Sequence, residues 1–141
     1  MAAANRGARD SGALSIGLSI DLPFEEHSNR WIDLPLNFHY FFTRKVMFVR
    51  YSLAFVALPG GFGTLDELFE CLTLIQTRKI QNYPVLLVGR EYWGPLHDWL
   101  RDRLLAEGKI SAPDLDLFKV VDGPDEVLAA VKAAEIQQRA R

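Results

Sequence analysis

Two uninterrupted apolar segments, LAFVALP at 53–59 and PVLLVG at 84–89, limit the folds open to this chain more than any other feature. Between them lies a segment with leucines at helical spacing, Leu65, Leu68 and Leu72. A strand that is apolar at every position is typical of a parallel sheet covered on both faces. Such strands separated by helices predict an α/β fold. We therefore expect 53–58 and 85–88 to be adjacent central strands of a parallel sheet.

The rest of the chain continues this alternation and predicts one Rossmann-like domain over residues 1–141, a parallel sheet flanked by helices. The other predicted strands are 14–20, a weaker edge strand at 31–36 that contains Pro35, and 117–121. The predicted helices are 37–52 with Asn37 as N-cap, 65–77, 93–104 followed by Gly108 as the stop, and 124–134 beginning at Pro124. Residues 2–9 are expected to form the end of a helix or a loop, and the tail 135–141 is expected to fray.

The overall charge and composition exclude several classes of protein. Of 141 residues, 16 are Lys or Arg and 18 are Asp or Glu, so the formal net charge is −2. This balance lacks the basic footprint of a nucleic-acid-binding protein. No apolar run approaches the roughly 20 residues of a membrane span, and the N-terminus has no signal-peptide pattern. We expect a cytoplasmic protein whose partners include neither nucleic acid polymers nor membranes.

The residues that could hold a metal or form disulfides are few. His27, His39 and His97 are scattered, without an HExxH pattern or a His/Cys cluster. Cys71 is the single cysteine, so no disulfide can form within the chain, which fits a reducing compartment. We therefore expect neither a metal nor a cofactor.

A glycine-rich turn, Pro59-Gly60-Gly61-Phe62-Gly63-Thr64, joins the first apolar strand directly to a helix. In open α/β sheets the ligand crevice lies at the carboxyl ends of the strands. Glycines there let an anion approach the backbone, and the positive end of the following helix favours phosphate. The turn has neither the Gly-Lys-Ser/Thr of a P-loop nor the GxGxxG spacing of dinucleotide-binding folds. The pattern therefore predicts either a phosphate site or a tight turn without a ligand.

Glu67 has two interpretations. Thr64-Leu65-Asp66-Glu67 has the spacing of a capping box, in which Thr64 is the N-cap and Glu67 bonds back to its N–H. Asp66 and Glu70 near the helix start also fit simple compensation of the helix dipole. A carboxylate beside a ribose, however, is what glycosidic cleavage requires, because it can orient or deprotonate water and stabilise an oxocarbenium-like centre. The spacing alone favours capping and leaves catalysis open.

Arg44 lies in an aromatic segment, FHYFFTRKVMFVRY. The guanidinium either stacks on neighbouring rings or is a partly buried cation that holds an anion bidentately. Lys45 and Arg50 fit a solvated face. The rings at helical spacing from Arg44 are Tyr40, Phe41, Phe48 and Tyr51. Because aromatic residues surround this helix instead of forming one stripe, we expect it to be covered on most sides, as in a homodimer.

Arg44-Lys45 and Pro59-Gly60-Gly61-Phe62-Gly63-Thr64-Leu65-Asp66-Glu67 together resemble the Lonely Guy-type phosphoribohydrolases. That family has an RK pair on one helix and a PGGxGTxxE loop at the next strand-to-helix turn, and every fixed position is present here. The larger bacterial branch of the family is also similar in three segments: Ile16-Gly17-Leu18, Leu22-Pro23-Phe24-Glu25 and PVLLVGREYWGPLHDWL. Similar proteins have often been labelled lysine decarboxylases, but this sequence gives no support for a pyridoxal-phosphate site.

The resemblance implies hydrolysis of the N-glycosidic bond of a nucleoside 5′-monophosphate to a free base and ribose 5-phosphate. In the cytokinin-activating members the base is an N6-modified adenine. Carried over by position, Arg44 and Glu67 are the catalytic pair. Because arginine stays charged, Arg44 is assigned to orienting the substrate, and Glu67 to the ribose hydroxyls, water or the developing cation. The residues assigned to binding the phosphate and nucleotide are Lys45, Gly60, Gly61, Gly63 and Thr64.

Two other functions fit the same residues: a nucleosidase that accepts ordinary purine or pyrimidine monophosphates, and a non-catalytic nucleotide-binding module of this fold. The resemblance also implies a homodimer or a higher homo-oligomer. Family members begin with a β-α unit whose GGGPGxM-type loop precedes the segment that matches AAANRGA, and Met1 falls at that motif's methionine. We therefore expect an N-terminally truncated chain, in which strand 14–20 has an edge without a partner.

Overall fold

The computed structural model describes residues 2–21 and 29–139. The chain divides into two compact units, Met1–Tyr51 and Ser52–Arg141, which we call the N-terminal unit and the C-terminal unit. Each unit contains parallel strands and helices, which confirms the predicted α/β class. The single domain over 1–141 stays a prediction, and the two units are described separately. Met1, the segment 22–28 with its Leu22-Pro23-Phe24-Glu25 motif, and residues 140–141 lie outside the described residues.

The N-terminal unit contains two helices and a pair of parallel strands. Its elements are α1 (Ala2–Asp10), β1 (Ile16–Ile20), β2 (Leu34–Phe38) and α2 (Phe41–Arg50). The two strands pair from Ile16 opposite Leu34 to Ile20 opposite Phe38. The pairing begins at Ser15, whose carbonyl accepts the N–H of Asp33 at 2.8 Å. The Asp33 carboxylate accepts the Ser15 N–H at 3.0 Å, so one side chain fixes the register of both strands.

Two predicted boundaries in this unit are wrong. The sequence predicts a strand at 31–36 and Asn37 as an N-cap, whereas β2 includes Asn37 and Phe38. The helix α2 begins at Phe41, after Tyr40 as N-cap. The physical reason is a long-range contact, since the Asp21 N–H bonds to the Phe38 carbonyl at 2.9 Å and prolongs the strand pairing.

The C-terminal unit is a three-stranded parallel sheet with helices. Its elements are β3 (Phe55–Ala57), α3 (Phe62–Gln76), β4 (Val85–Val88), α4 (Arg90–Trp99), β5 (Lys119–Val121) and α5 (Pro124–Arg139). A π-helical segment, Leu100–Leu105, continues α4, and a 3-10 helix, Ala112–Leu117, precedes β5. The strand order β3-β4-β5 confirms that the two apolar segments are parallel neighbours. Only β4 is central, however, because β3 lies at the edge of this three-stranded sheet.

The apolar core of the described residues lies in the C-terminal unit. Its largest buried side chains, each about 1% exposed, are Leu68, Val85, Leu86, Leu87 and Trp93. The three from β4 are buried on both faces of the strand, as an unbroken apolar sequence predicts. In the described part of the N-terminal unit, Ser15 is the one residue that is buried.

Three further boundaries in the C-terminal unit test the sequence-based predictions. Gly108 has a φ of 67° and follows the helix, as predicted for a stop. Leu117, predicted as strand, ends the 3-10 helix, because a capping box at Ser111 and Asp114 starts that helix. Both the N–H and the hydroxyl of Ser111 donate to the Asp114 carboxylate at 2.7 Å. The last helix begins at Pro124 as predicted but runs to Arg139, so the predicted end at 134 is wrong.

Candidate active site

The turn between β3 and α3 forms an uncapped helix start at the carboxyl edge of the sheet. The helix begins at Phe62, after Gly61 as N-cap, and no side chain of the described residues makes a capping hydrogen bond there. The first intrahelical bond runs from the Leu65 N–H to the Gly61 carbonyl at 3.1 Å. The first turn contains no acidic residue. The positive end of the helix dipole is therefore available to an anion from outside the helix.

The capping interpretation of Glu67 is wrong. Thr64 is the third residue of α3 and Glu67 the sixth, so neither stands where a capping box requires it. The helix starts three residues earlier than the predicted Leu65 because Gly61 is the N-cap. Asp66 and Glu70 also lie beyond the first turn, so the expected compensation of the dipole by these acids is wrong as well.

Helix geometry directs Glu67 toward the glycine turn. Residues three and four positions apart share a helix face, and every Cα–Cβ bond tilts toward the N-terminus. Glu67 therefore shares a face with Gly63 and Thr64 and leans toward them. It is half-buried and precedes the fully buried Leu68. One helical turn rises about 5.4 Å, which resembles the span of a ribose between its 5′-phosphate and its anomeric carbon.

The glycines of the turn differ in what a side chain would meet. A Cβ at Gly60 would collide with the Thr64 side chain, so the packing of the turn itself requires glycine there. A Cβ at Gly61 or Gly63 would meet no atom of the described residues within 4 Å. Neither of these two has a positive φ. The internal packing of the chain therefore gives no reason for glycine at 61 and 63, whereas close approach of a ligand to the backbone does.

The start of a second helix, at the same edge of the sheet, is capped by a carboxylate. The N-terminus of α4 follows Gly89, whose φ of 105° requires glycine. Asp122, directly after β5, accepts the Arg90 backbone N–H at 2.7 Å and the Arg90 Nε–H at 3.2 Å. The backbone N–H bond is the largest cause that lowers the pKa of Asp122. Within the part of the chain that the structure describes, a side chain caps the start of α4 and none caps the start of α3.

Two residues that form hydrogen bonds at the carboxyl edge of the sheet, Tyr92 and Asp122, are not predicted from the sequence. Tyr92, on the first turn of α4, donates its hydroxyl to the Gly60 carbonyl at 2.6 Å. No pattern indicates this bond, because its partners are 32 positions apart. The cap by Asp122 leaves no local signal either, because Asp122 and Arg90 are also 32 positions apart.

Cys71 is a buried thiol on the same helix as Glu67. Its pKa is raised from the usual 9.0 to about 12, first by burial and then by the charges of Glu70 and Glu67. The thiol is therefore neutral at physiological pH and unsuited to nucleophilic attack. The predicted role of Cys71 as a small core residue agrees with its burial.

In the N-terminal unit, Arg44 stacks on an aromatic ring and bonds to a strand, and its binding of an anion stays a prediction. Its guanidinium carbon lies 5.1 Å from the centre of the Phe48 ring, which confirms stacking on an aromatic neighbour. Its Nε–H donates to the Leu18 carbonyl of β1 at 3.1 Å, which ties the side chain to the sheet. Lys45 is half-buried and Arg50 exposed, so the predicted solvated face holds for Arg50 alone. Arg44 and Lys45 belong to one unit, and the glycine turn and Glu67 to the other.

Residues 2–21 and 29–139 contain neither a cluster of metal ligands nor a membrane-spanning helix. Within these ranges, no three or more His, Cys, Asp or Glu side chains come together as a metal site. No helix within them combines the length and apolar character that crossing a membrane requires.

Comparison with known proteins assigns the chain to a family. The model of a family described as possible lysine decarboxylase matches residues 1–131. The chain belongs to this family, which is the Lonely Guy-type family that the two motifs resemble.

Three relatives show how far the similarity extends. A probable cytokinin riboside 5′-monophosphate phosphoribohydrolase of Oryza sativa subsp. japonica is 36% identical over 92 residues, which cover 64% of this chain and 39% of the relative. A second rice protein of the same description is 44% identical over 71 residues, or 50% of this chain and 28% of the relative. A cytokinin riboside 5′-monophosphate phosphoribohydrolase of Arabidopsis thaliana is 44% identical over 69 residues, or 48% of this chain and 32% of the relative. The aligned part of the chain spans about a third of the length of these relatives.

Proposed function

We propose that this protein hydrolyses the N-glycosidic bond of a nucleoside 5′-monophosphate and releases the free base and ribose 5-phosphate. The names of the three relatives support this reaction class. The single observation that carries the proposal is the start of α3. No side chain of the described residues caps it, and open space lies where a side chain at Gly61 or Gly63 would stand. A phosphate group fits such a site by charge and by hydrogen bonding.

Glu67 is the proposed catalytic carboxylate. With the phosphate at the start of α3, a carboxylate one turn further along the helix faces the ribose. Water attacks the anomeric carbon, and the glycosidic bond breaks with its electron pair leaving on the base. Glu67 accepts a proton from the water and stabilises the positive charge that develops on the sugar. The departing base takes up a proton from solvent and Glu67 returns its proton to solvent, so the products are the neutral base and ribose 5-phosphate.

Arg44 and Lys45 have supporting roles in the proposal. Arginine does not lose its proton at physiological pH, so Arg44 orients the substrate and balances negative charge. Its bond to the Leu18 carbonyl and its stacking on Phe48 limit the motion of its side chain. Lys45 adds positive charge for the nucleotide. Gly60, Gly61, Gly63 and Thr64 bind the phosphate.

Specific residues distinguish the proposed hydrolase from a non-catalytic binding module and from a decarboxylase. A non-catalytic binding module needs the glycine turn alone and does not require a carboxylate at position 67. A decarboxylase that forms a Schiff base needs a lysine activated by a desolvated or cationic environment. Within the C-terminal unit the lysines are exposed, namely Lys79, Lys109, Lys119 and Lys132. Ordinary purine or pyrimidine monophosphates and an N6-modified adenine nucleotide remain the candidate substrates.

The proposal also covers assembly and location. A homodimer would cover the aromatic side chains of α2, whose helix has no fully buried residue. A reducing compartment such as the cytoplasm fits a chain whose single cysteine is a buried free thiol. The proposed partners are the nucleotide substrate and a second copy of the chain, and they include neither a nucleic acid polymer nor a membrane.

Product analysis tests the proposed reaction. The protein is incubated with a panel of nucleoside 5′-monophosphates that includes the N6-isopentenyl adenine nucleotide, and the corresponding nucleosides without phosphate serve as controls. We expect free base and ribose 5-phosphate from one or more nucleotides and slower release from the nucleosides. Release of nucleoside and inorganic phosphate, or equal rates with and without the 5′-phosphate, would contradict the proposal.

A further inference from the structure

The hydrogen bond between Tyr92 and Gly60 connects two helices that follow neighbouring strands. Tyr92 lies on the first turn of α4, and its hydroxyl donates to the Gly60 carbonyl at 2.6 Å. Gly60 lies one residue before the N-cap of α3. The bond therefore joins the capped start of α4 to the uncapped start of α3.

The ring of Tyr92 packs against the core of the C-terminal unit. It lies edge-on to the Trp93 ring, with 4.9 Å between the ring centres. Trp93 is about 1% exposed and belongs to the core. The backbone just before Tyr92 is held by the bond from the Gly89 N–H to the Val121 carbonyl at 2.8 Å and by the Asp122 cap on the Arg90 N–H. The hydroxyl therefore reaches Gly60 from a rigid support.

Because the peptide bond is planar, this contact sets the direction of a backbone N–H at the phosphate site. The Gly60 carbonyl and the Gly61 N–H belong to the same planar trans peptide unit, in which C=O and N–H point in opposite directions. A hydroxyl that holds the Gly60 carbonyl toward α4 therefore directs the Gly61 N–H away from α4. Thr64 packs against Gly60 closely enough to exclude a Cβ, which restricts the same peptide unit further.

We propose that Tyr92 is a positioning residue of the phosphate site, whose hydroxyl fixes the Gly60–Gly61 peptide so that its N–H is aligned for an anion. This inference rests on the proposed function, because it concerns the same site. Tyr92 makes no direct contact with substrate in this account. It acts through the direction of one backbone N–H.

A pair of Tyr→Phe variants tests the inference. Tyr83 also forms a hydroxyl hydrogen bond of 2.6 Å, with Ser52, but it lies just before β4, away from the glycine turn. Tyr92→Phe and Tyr83→Phe each remove one hydroxyl and retain the ring. Ribose 5-phosphate is titrated into the wild-type protein and each variant, and thermal unfolding is measured alongside. The resonance of the Gly61 amide is followed by NMR without ligand.

We expect Y92F to bind ribose 5-phosphate about fivefold more weakly, to shift the Gly61 amide resonance and to keep the wild-type melting temperature. We expect Y83F to melt lower and to bind with unchanged affinity, because Tyr83 belongs to the core and its lost bond is partly buried. Equal affinity and an unchanged Gly61 amide resonance in Y92F and wild type would overturn the role of Tyr92 and leave the proposed function intact. Absence of ribose 5-phosphate binding by the wild-type protein would overturn the proposed function, and the inference with it.

Discussion

The glycines at the start of α3 have different causes: the packing of the protein requires one of them, and ligand binding explains the others. Gly60 is required by contact with Thr64, whereas Gly61 and Gly63 face open space. A glycine within a helix costs stability relative to alanine. At Gly63, the second residue of α3, alanine would therefore give a more stable fold than glycine. A ligand that needs close approach to the backbone explains why glycine is there.

Gly63→Ala should therefore stabilise the protein and weaken binding. We expect the free energy of unfolding to rise by about 0.5–1 kcal/mol and the affinity for ribose 5-phosphate to fall at least about tenfold. Denaturant unfolding and calorimetric titration measure the two quantities. Gly7→Ala is the matched control, because Gly7 lies inside α1 with open space around it and should gain stability without a change in affinity. Wild-type affinity in G63A would refute a ligand at this position.

Cys71 predicts a loss of stability at alkaline pH. Its pKa rises from 9.0 to about 12 on folding, so the folded state holds the proton more tightly than the unfolded state. The resulting stabilisation is complete below pH 9 and is lost as the pH rises toward 12. We expect the free energy of unfolding to fall over this range more steeply in the wild type than in Cys71→Ala. Identical slopes in the two proteins would show that Cys71 does not titrate differently on folding.

At the scale of the elements, the sequence predicts strands and helices well where burial decides them. The unbroken apolar segment at 85–88 predicts the central strand β4 correctly. The start of α3 is missed because Thr64 and Glu67 have the spacing of a capping box, whereas a glycine N-cap has no side chain to reveal it. The end of β2 is missed because it depends on Asp21, which lies far away in sequence. Local patterns identify the elements, and contacts between distant residues set their ends.

The same limit applies to the candidate site. The glycine turn and Glu67 are found from local spacing, because they lie within one strand-to-helix unit. Tyr92 and Asp122 are missed because each acts across 32 residues. A sequence pattern contains no information on which helix start a distant carboxylate will fill.

The Asp122 cap makes the stability of α4 decrease as the pH falls into the acid range. Hydrogen bonding from Arg90 lowers the pKa of Asp122, so its contribution to stability is present above its usual pKa and is lost as the pH falls. We expect Asp122→Ala to speed exchange of the Arg90 amide proton at neutral pH and to reduce the acid dependence of unfolding. Asp116→Ala, which removes an exposed carboxylate before β5, serves as the control. If both variants behaved alike, Asp122 would have no specific capping role.

At the scale of the whole molecule, burial is unevenly distributed. The large buried side chains lie in the C-terminal unit, whereas the aromatic residues around α2 are largely exposed. Phe42 and Tyr51, for example, are 65% and 77% exposed. Exposed aromatic surface of this kind is typical of an interface.

The prediction at this scale is therefore a homodimer that depends on α2. Light scattering at low micromolar concentration should give twice the 16.0 kDa of the chain. The double variant Phe42→Ser and Tyr51→Ser should shift this mass toward the monomer and leave the C-terminal unit folded. A monomeric wild-type protein would contradict the prediction.

The proposed reaction depends most on Glu67 as a catalytic carboxylate, and one comparison of turnover tests this role. Glu67→Gln and Glu70→Gln each remove one half-buried acid from α3, and both acids raise the pKa of Cys71. Base release from the best nucleotide substrate is measured for both variants and the wild type at saturating substrate. We predict that E67Q loses at least about a hundredfold in turnover while it still binds the nucleotide, and that E70Q turns over at nearly the wild-type rate. Near-normal base release by E67Q would contradict the central claim.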